Sequence, residues 1–258
     1  MYNQRALRLK EKLRNGEPIV GIWIDLESAV AAGLIAGCGF DWVVVDGEHG
    51  VFDRVGLHQI AMAFKGTETV PFVRVPWNDM VMIKQMLDMG FEGIVTPQTN
   101  TVEDVRKAVA ACRYPPDGCR GFGNTYAANY GRDEDEYSRL ANDLIFCVVQ
   151  VESIHSVNEI EEMISVPGLD GLIYGPNDMS GTTSRFRDMA NPELLDAIDR
   201  IESVAIAAGI PVGAGLNTKT MAEQIASGAQ LILEGSVLDL IRQGADDIVN
   251  TFREIPTN

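Results

Sequence analysis

The chain has 258 residues, 46% of them hydrophobic and 22% charged, the composition of a folded globular protein whose core needs no disulfide staples. Its 21 Lys and Arg against 37 Asp and Glu leave a net charge of −16, and no basic cluster relieves it, which argues against nucleic acid or an anionic membrane as partner. The first residues lack the apolar core of a secretory signal, and no run approaches the roughly 20 apolar residues of a membrane span, so a cytoplasmic location is expected.

Short β-branched runs alternate with longer stretches of helical periodicity. In chain order, a strand at 19–24 precedes a helix at 28–38, and a strand at 42–45 precedes one at 53–64. The next pairs are 72–75 with 79–89, and 93–96 with 102–112. Residues 113–142 hold YPPDGCRGFG and a polar DEDEYSR run, and are expected to form an extended functional or interfacial loop. Strands at 144–151, 171–174, 211–214 and 231–233 follow, with helices at 156–164, 192–208, 218–226 and 236–252. Apolar runs with helices on either side suit a parallel sheet covered on both faces. Asn78-Asp79 and Asn191-Pro192 supply helix starts, and Gly90 and Gly209 supply stops. Eight strands and eight helices over 1–258 predict a single (β/α)8 barrel domain. The alternative, an open doubly wound sheet, lacks a GxGxxG after its first strand. Four cysteines (Cys38, Cys112, Cys119, Cys147) without CxxC spacing are expected to be reduced.

Barrel enzymes carry their chemistry where the strands end. The first strand is followed by Asp25; the second by Asp46, Glu48 and His49; the third contains Arg74; the fourth is followed by Pro97-Gln98. The fifth carries Gln150 and Glu152, the sixth is followed by Asn177 and Asp178, the seventh by Gly215-Leu216-Asn217, and the eighth by Glu234. Glu152 and Asp178 could hold a hard divalent cation through oxygen, leaving positions for a chelating substrate; each could instead cap the helix after it. An arginine within a barrel strand suits a carboxylate or a developing oxyanion, the alternative being an ion pair with Asp46 or Glu48. Of three histidines, only His49 follows a strand end beside acids, where it could act as a base near neutral pH. No lysine stands at a strand end for an imine, and no GxSxG elbow is present. If the substrate is an anion, a local cation must attract it against the charge of the whole chain.

VVVDGEHG, VRVPWND, MLDMG, CRYPPDGCRGFG, VQVES and GPNDMS, in that order, resemble the metal-dependent (class II) pyruvate aldolases of the HpcH/HpaI family, from about Gly21 to Gly235. The resemblance implies a (β/α)8 barrel of the phosphoenolpyruvate/pyruvate type, assembled as a homo-oligomer (hexamer or trimer) with the helix at about 236–252 exchanged between subunits. It implies Mg²⁺, Mn²⁺ or Co²⁺ on Glu152 and Asp178, a substrate contact at Gln150, His49 as base and Arg74 on the oxyanion. Asp88 matches an acid that raises the basicity of the histidine, arriving from a neighbouring subunit, with Asp46 a second partner for His49. The implied reaction is reversible cleavage of a 4-hydroxy-2-oxo acid to pyruvate and an aldehyde through a metal-stabilised enolate. Where the family often reads GPADLS this chain has GPNDMS, which puts the amide of Asn177 beside the substrate. Decarboxylation of a 2-oxo dicarboxylate such as oxaloacetate, or mere binding of a small acid, would use the same residues.

Overall fold

The computed structural model describes residues 4–123, 125–215 and 219–255. Eight parallel strands, β1 (Ile19–Ile24), β2 (Trp42–Asp46), β3 (Val70–Arg74), β4 (Gly93–Thr96), β5 (Phe146–Val151), β6 (Gly171–Tyr174), β7 (Val212–Ala214) and β8 (Leu231–Ser236), form one sheet in the order β7-β6-β5-β4-β3-β2-β1-β8. At the seam between β7 and β8 the Gln230 N–H donates to the Val212 carbonyl at 3.0 Å. The two backbones pass so closely that a Cβ on Gly213 would stand 1.9 Å from the Leu231 carbonyl oxygen, so only glycine fits. The expected (β/α)8 barrel is therefore the observed fold.

The strand alternation sorts side chains into two cores. Val43, Val45, Val73, Cys147, Val149 and Val151 point outward and pack under the helices. Trp42, Val44, Phe72, Val95, Phe146 and Val148 point inward and fill the barrel. Phe72 stands 5.1 Å from Trp42 and 5.0 Å from Phe146, ring centre to ring centre. Two residues further along the inward face, the apolar filling gives way to polar groups: Val44 leads to Asp46, Phe72 to Arg74, and Val148 to Gln150. This change creates the mouth of the barrel.

Helices α2 (Ala29–Ala36), α3 (Arg54–Ala63), α4 (Met80–Asp88) and α5 (Val102–Cys112) follow the first four strands, each capped by the side chain before it (Ser28, Asp53, Asp79, Thr101). The opposite end of the barrel is plugged by α1 (Arg5–Arg14), a helix the sequence pattern did not predict. Its Ala6, Leu9 and Leu13 lie in the inner core, and Lys10 donates to the Ile145 carbonyl and pairs with Asp170 at 2.7 Å. The expected loop at 113–142 is also corrected. It contains a 3-10 segment at Tyr126–Gly131 and then α6 (Glu134–Leu144), in which Tyr137, Ala141 and Leu144 make a buried stripe through a charged stretch. Leu144 belongs to that helix, so β5 begins at Phe146 rather than at 144.

After β5 comes a 3-10 turn, Ile154–Asn158, and α7 (Ile160–Ile164), where one helix from 156 was expected. The segment after β6 forms a short helix, α8 (Pro176–Gly181), before α9 (Pro192–Ala207). Helix α10 (Met221–Ser227) starts later than expected, and the first of the residues assigned to it, Thr218, lies with Leu216 and Asn217 outside the described residues. The last helix, α11 (Val237–Arg253), buries only Val237. No helix among the described residues is long and apolar enough to cross a membrane.

Candidate active site

The polar inward layer surrounds a cavity of about 280 Å³ at the C-terminal ends of the strands, reached by side chains from β1, β2, β3, β5 and the turns after β6, β7 and β8. The turn after β2 is fixed by its own chemistry. The Asp46 carboxylate accepts from the backbone N–H groups of Glu48 and His49, both at 3.2 Å. A Cβ on Gly47 would meet the Arg74 carbonyl at 2.7 Å, so glycine is what lets this turn lie against β3. Asp46 and Arg74 are direct neighbours in the β2–β3 ladder.

Arg74 is 7% exposed and held from several sides. Its Nε donates to Asp46 Oδ1 at 3.0 Å, its Nη2 lies 2.8 Å from the same oxygen, and its Nη1 donates to Gln150 Oε1 at 3.3 Å. Its guanidinium lies 4.6 Å from the centre of the Trp23 ring. Glu48 Oε2 is 3.2 Å from Arg74 Nε and 3.9 Å from His49 Nε2, yet it is buried and receives no hydrogen bond. Burial is the main cause that pushes the Glu48 carboxyl above the usual range, against the opposing charge of Arg74.

Glu152 continues this network. It is 2% exposed; Gln150 Nε2 donates to its Oε1 at 2.7 Å, and the backbone N–H of Gln98 donates to its Oε2 at 2.6 Å. Gln98 adopts a φ of 49°, a left-handed conformation that aims this N–H at the acid. Burial, with added repulsion from Glu48 and Asp178, pushes the Glu152 carboxyl up to about 7, although the Gln98 N–H and Arg74 oppose the shift. Asp178 is exposed in the first turn of α8, and Asn177 lines the cavity beside it.

Of the residues singled out from sequence, Asp46, His49, Arg74, Gln150, Asn177 and Asp178 line one cavity, and Glu152 is hydrogen-bonded to it through Gln150. Asp46 was expected beside the His49 ring; its carboxylate is instead engaged by Arg74 and by the backbone of the turn. Asp88 is not in this cavity. It closes α4 at the far end of the barrel and accepts from Arg120 Nη2 at 2.9 Å, with Arg120 buried against the Tyr114 and Tyr137 rings. His155 is exposed, and His58 is half-buried against the Met89 carbonyl. Sequence reasoning missed Trp23 and Asp239. Trp23 follows Gly21 in the inward alternation of β1, a signal that was legible, whereas Ser236 and Asp239 look like an ordinary helix cap.

Residues 20–239 match the family model for HpcH/HpaI aldolase/citrate lyase. This chain belongs to the HpcH/HpaI family. A 5-keto-4-deoxy-D-glucarate aldolase of Salmonella arizonae is 34% identical over 91% of this chain and 92% of its own. A 4-hydroxy-2-oxo-heptane-1,7-dioate aldolase of Salmonella typhimurium is 34% identical over 94% of this chain and 93% of its own. Among solved structures, an HpcH/HpaI aldolase/citrate lyase family protein from Burkholderia cenocepacia superposes with a TM-score of 0.90 at 30% identity, covering 96% of this chain and 99% of that one. This HpcH/HpaI protein is accordingly an aldolase, a lyase acting on carbon–carbon bonds. The family is generally dependent on a divalent metal.

Proposed function

We propose that the chain cleaves a 4-hydroxy-2-oxo acid reversibly into pyruvate and an aldehyde, with a divalent cation held by Glu152 and Asp178. The observation that carries this is the continuous polar run Asp46–Arg74–Gln150–Glu152, which joins a buried arginine to a buried acid across the barrel mouth. The donor set fits the cation. Both ligands offer carboxylate oxygen, which suits Mg²⁺, Mn²⁺ or Co²⁺, and a cation beside them would offset the mutual repulsion of Glu48, Glu152 and Asp178. Two protein carboxylates would leave room on such a cation for substrate oxygens and water. When bound, such an ion supplies Lewis acidity at the 2-oxo group.

The protein's own groups account for the remaining work. His49 takes the proton of the 4-hydroxyl; the O–H electrons form the aldehyde carbonyl, the C3–C4 bond breaks, and its electron pair leaves as the enolate of pyruvate. Arg74, held by Asp46 and Gln150, keeps Nη donors for the oxygen on which that charge develops. Protonation at C3 completes pyruvate, and the reverse sequence forms the bond.

Three further parts belong to this proposal. Relatives named for a glucarate and a heptanedioate support a place in sugar-acid or related catabolism. Free cysteines at 38, 112, 119 and 147 support a cytoplasmic location. Exposed apolar residues on α11 support its exchange between copies in a homo-oligomer such as a hexamer or trimer, in which Asp88 would serve the His49 of a second copy.

The test is pyruvate alone in deuterated water, with C3–H exchange followed by NMR. Exchange should stop in EDTA and return with Mn²⁺ or Mg²⁺. Glu152→Ala should lose metal binding by calorimetry, whereas His49→Ala should bind metal normally and lower the rate of cleavage about 100-fold or more. Full turnover in EDTA, or unchanged metal affinity in Glu152→Ala, would refute the assignment.

A further inference from the structure

The turn after β4, residues 97–100, grips the end of β5. The Gln98 N–H donates to the Glu152 carboxylate at 2.6 Å, the Thr99 N–H donates to the Gln150 carbonyl at 3.1 Å, and the Asn100 side-chain oxygen accepts from the Glu152 N–H at 2.9 Å. Successive N–H groups of an extended strand point to opposite sides, so Gln98 and Thr99 could not both reach β5 from a strand. The positive φ of Gln98, 49°, turns them the same way. That conformation is uncommon for a residue other than Gly or Asn, and strain of this kind persists where the surroundings enforce it. Thr99 supplies part of the enforcement: it is fully buried and bonds its hydroxyl to the Thr96 carbonyl at 3.0 Å. Asn100 supplies more, because its side-chain oxygen takes a second donor, the Ser156 hydroxyl, at 3.3 Å.

These bonds leave the Glu152 carboxylate little freedom. Its Oε1 accepts from Gln150 and its Oε2 from the Gln98 N–H. From the turn after β6, a Cβ on Gly175 would stand 3.1 Å from Oε1, so that turn closes on the same side chain. A carboxylate offers about four lone-pair directions, and one bond on each oxygen leaves a free direction on each for a cation. The side chain is therefore aimed by the fold, and ordering it costs nothing further when an ion binds.

Building on the metal assignment proposed above, we infer that Gln98 and Asn100 are positioning residues for the cation. Gln98 acts through its backbone, whose left-handed turn sets one N–H on Glu152 Oε2. Asn100 acts through its amide, which fixes the backbone of Glu152 and reaches back to the Gln98 side chain at 3.4 Å. Both act on the ion through Glu152: they set where its carboxylate oxygens stand, and so how tightly the ion is held.

The test is the affinity for Mn²⁺, measured by titration calorimetry on the metal-free full-length protein. Gln98→Pro removes both the N–H and the positive φ, and should raise the Kd about tenfold to a hundredfold, the range for hydrogen-bond partners of a metal ligand. Gln98→Gly keeps the N–H and adopts the same φ freely, so it should hold the Kd within about threefold of the unaltered protein. Asn100→Ala should raise the Kd about tenfold, and it decides the matter if circular dichroism shows that Gln98→Pro does not fold. A native Kd in folded Gln98→Pro, or in Asn100→Ala, while Glu152→Ala binds no metal, overturns the inference and leaves the metal assignment standing. A Kd as weak in Gln98→Gly as in Gln98→Pro also overturns it, because the backbone would then not be what matters. A native Kd in Glu152→Ala overturns both.

Discussion

Arg74 and Asp46 face each other across the β2–β3 ladder and meet at a single oxygen, Oδ1, which lies 3.0 Å from Nε and 2.8 Å from Nη2. The pair is buried, so its value lies in orientation more than in net stability. Arg74→Lys would keep the charge but lose the planar fork, which binds Asp46 and Gln150 at once. Its kcat for aldol cleavage should fall about 100-fold or more, while metal affinity measured by calorimetry stays unchanged. Asp46→Asn should lower kcat as well, and should cost about 1–3 kcal/mol in urea unfolding because a charged partner is lost. Native kcat in Arg74→Lys would show that the guanidinium does not stabilise the reacting oxygen.

Metal binding should be linked to protons through Glu152, whose carboxyl is pushed up to about 7 chiefly by burial. The groups facing it are Glu48 and Asp178, which raise it, and Arg74 and the Gln98 N–H, which lower it. With a folded pKa above the unfolded one, the metal-free fold holds an extra proton. Its share of stability is complete below about pH 4.5 and is lost as pH rises through about 7. A cation must displace that proton, so affinity should rise with pH up to about 7 and then level off. Titration calorimetry in buffers of different ionisation enthalpy should detect proton release near pH 6, and none well above 7. An affinity that is flat across this range would remove the linkage.

Much of this site was legible because period-two alternation is a local property. Phe72 inside the barrel puts Arg74 inside as well, and Phe146 and Val148 do the same for Gln150 and Glu152. What the sequence did not reveal depends on partners far along the chain. Helix α1 is amphipathic with two lysines and three arginines, and only its contacts with Asp170 and Glu92 explain why Lys10 and Arg5 are buried. In α6 the buried stripe is three residues wide within an acidic run, so charge masked the helical period. Asp46 could be assigned to the site from its position but not to a partner, because the choice between His49 and Arg74 is made by the close approach at Gly47.

Barrel closure should depend on Gly213. A methyl group there would stand 1.9 Å from the Leu231 carbonyl oxygen, which belongs to the backbone and cannot rotate away. Gly213→Ala should lower stability by about 3 kcal/mol in urea unfolding and weaken the site through the β7 turn. Gly33 is a suitable control: it lies within α2, and a Cβ there meets nothing within 4 Å. Gly33→Ala should raise stability by about 1 kcal/mol, so equal effects at the two positions would deny Gly213 its closing role.

Helix α11 should be an assembly element. Its Leu240, Ile241, Ile248 and Phe252 are 50% to 74% exposed, an apolar stripe that the rest of the chain leaves uncovered. Val30 and Leu34 on α2, and Met221 and Ile225 on α10, are exposed as well. In a (β/α)8 barrel the helix after the eighth strand packs between the helices of the first and seventh units, which here are α2 and α10. Taking α11 from a second copy would cover all three apolar faces at once. The double substitution Ile241→Glu with Phe252→Glu should therefore reduce an oligomer to monomers in sedimentation, with the far-ultraviolet circular dichroism of each chain preserved. If Asp88 of one copy serves His49 of another, the monomers should also lose most of their kcat while keeping metal affinity. A wild-type protein that sediments as a monomer at micromolar concentration, or a variant of unchanged size, would disprove the exchange.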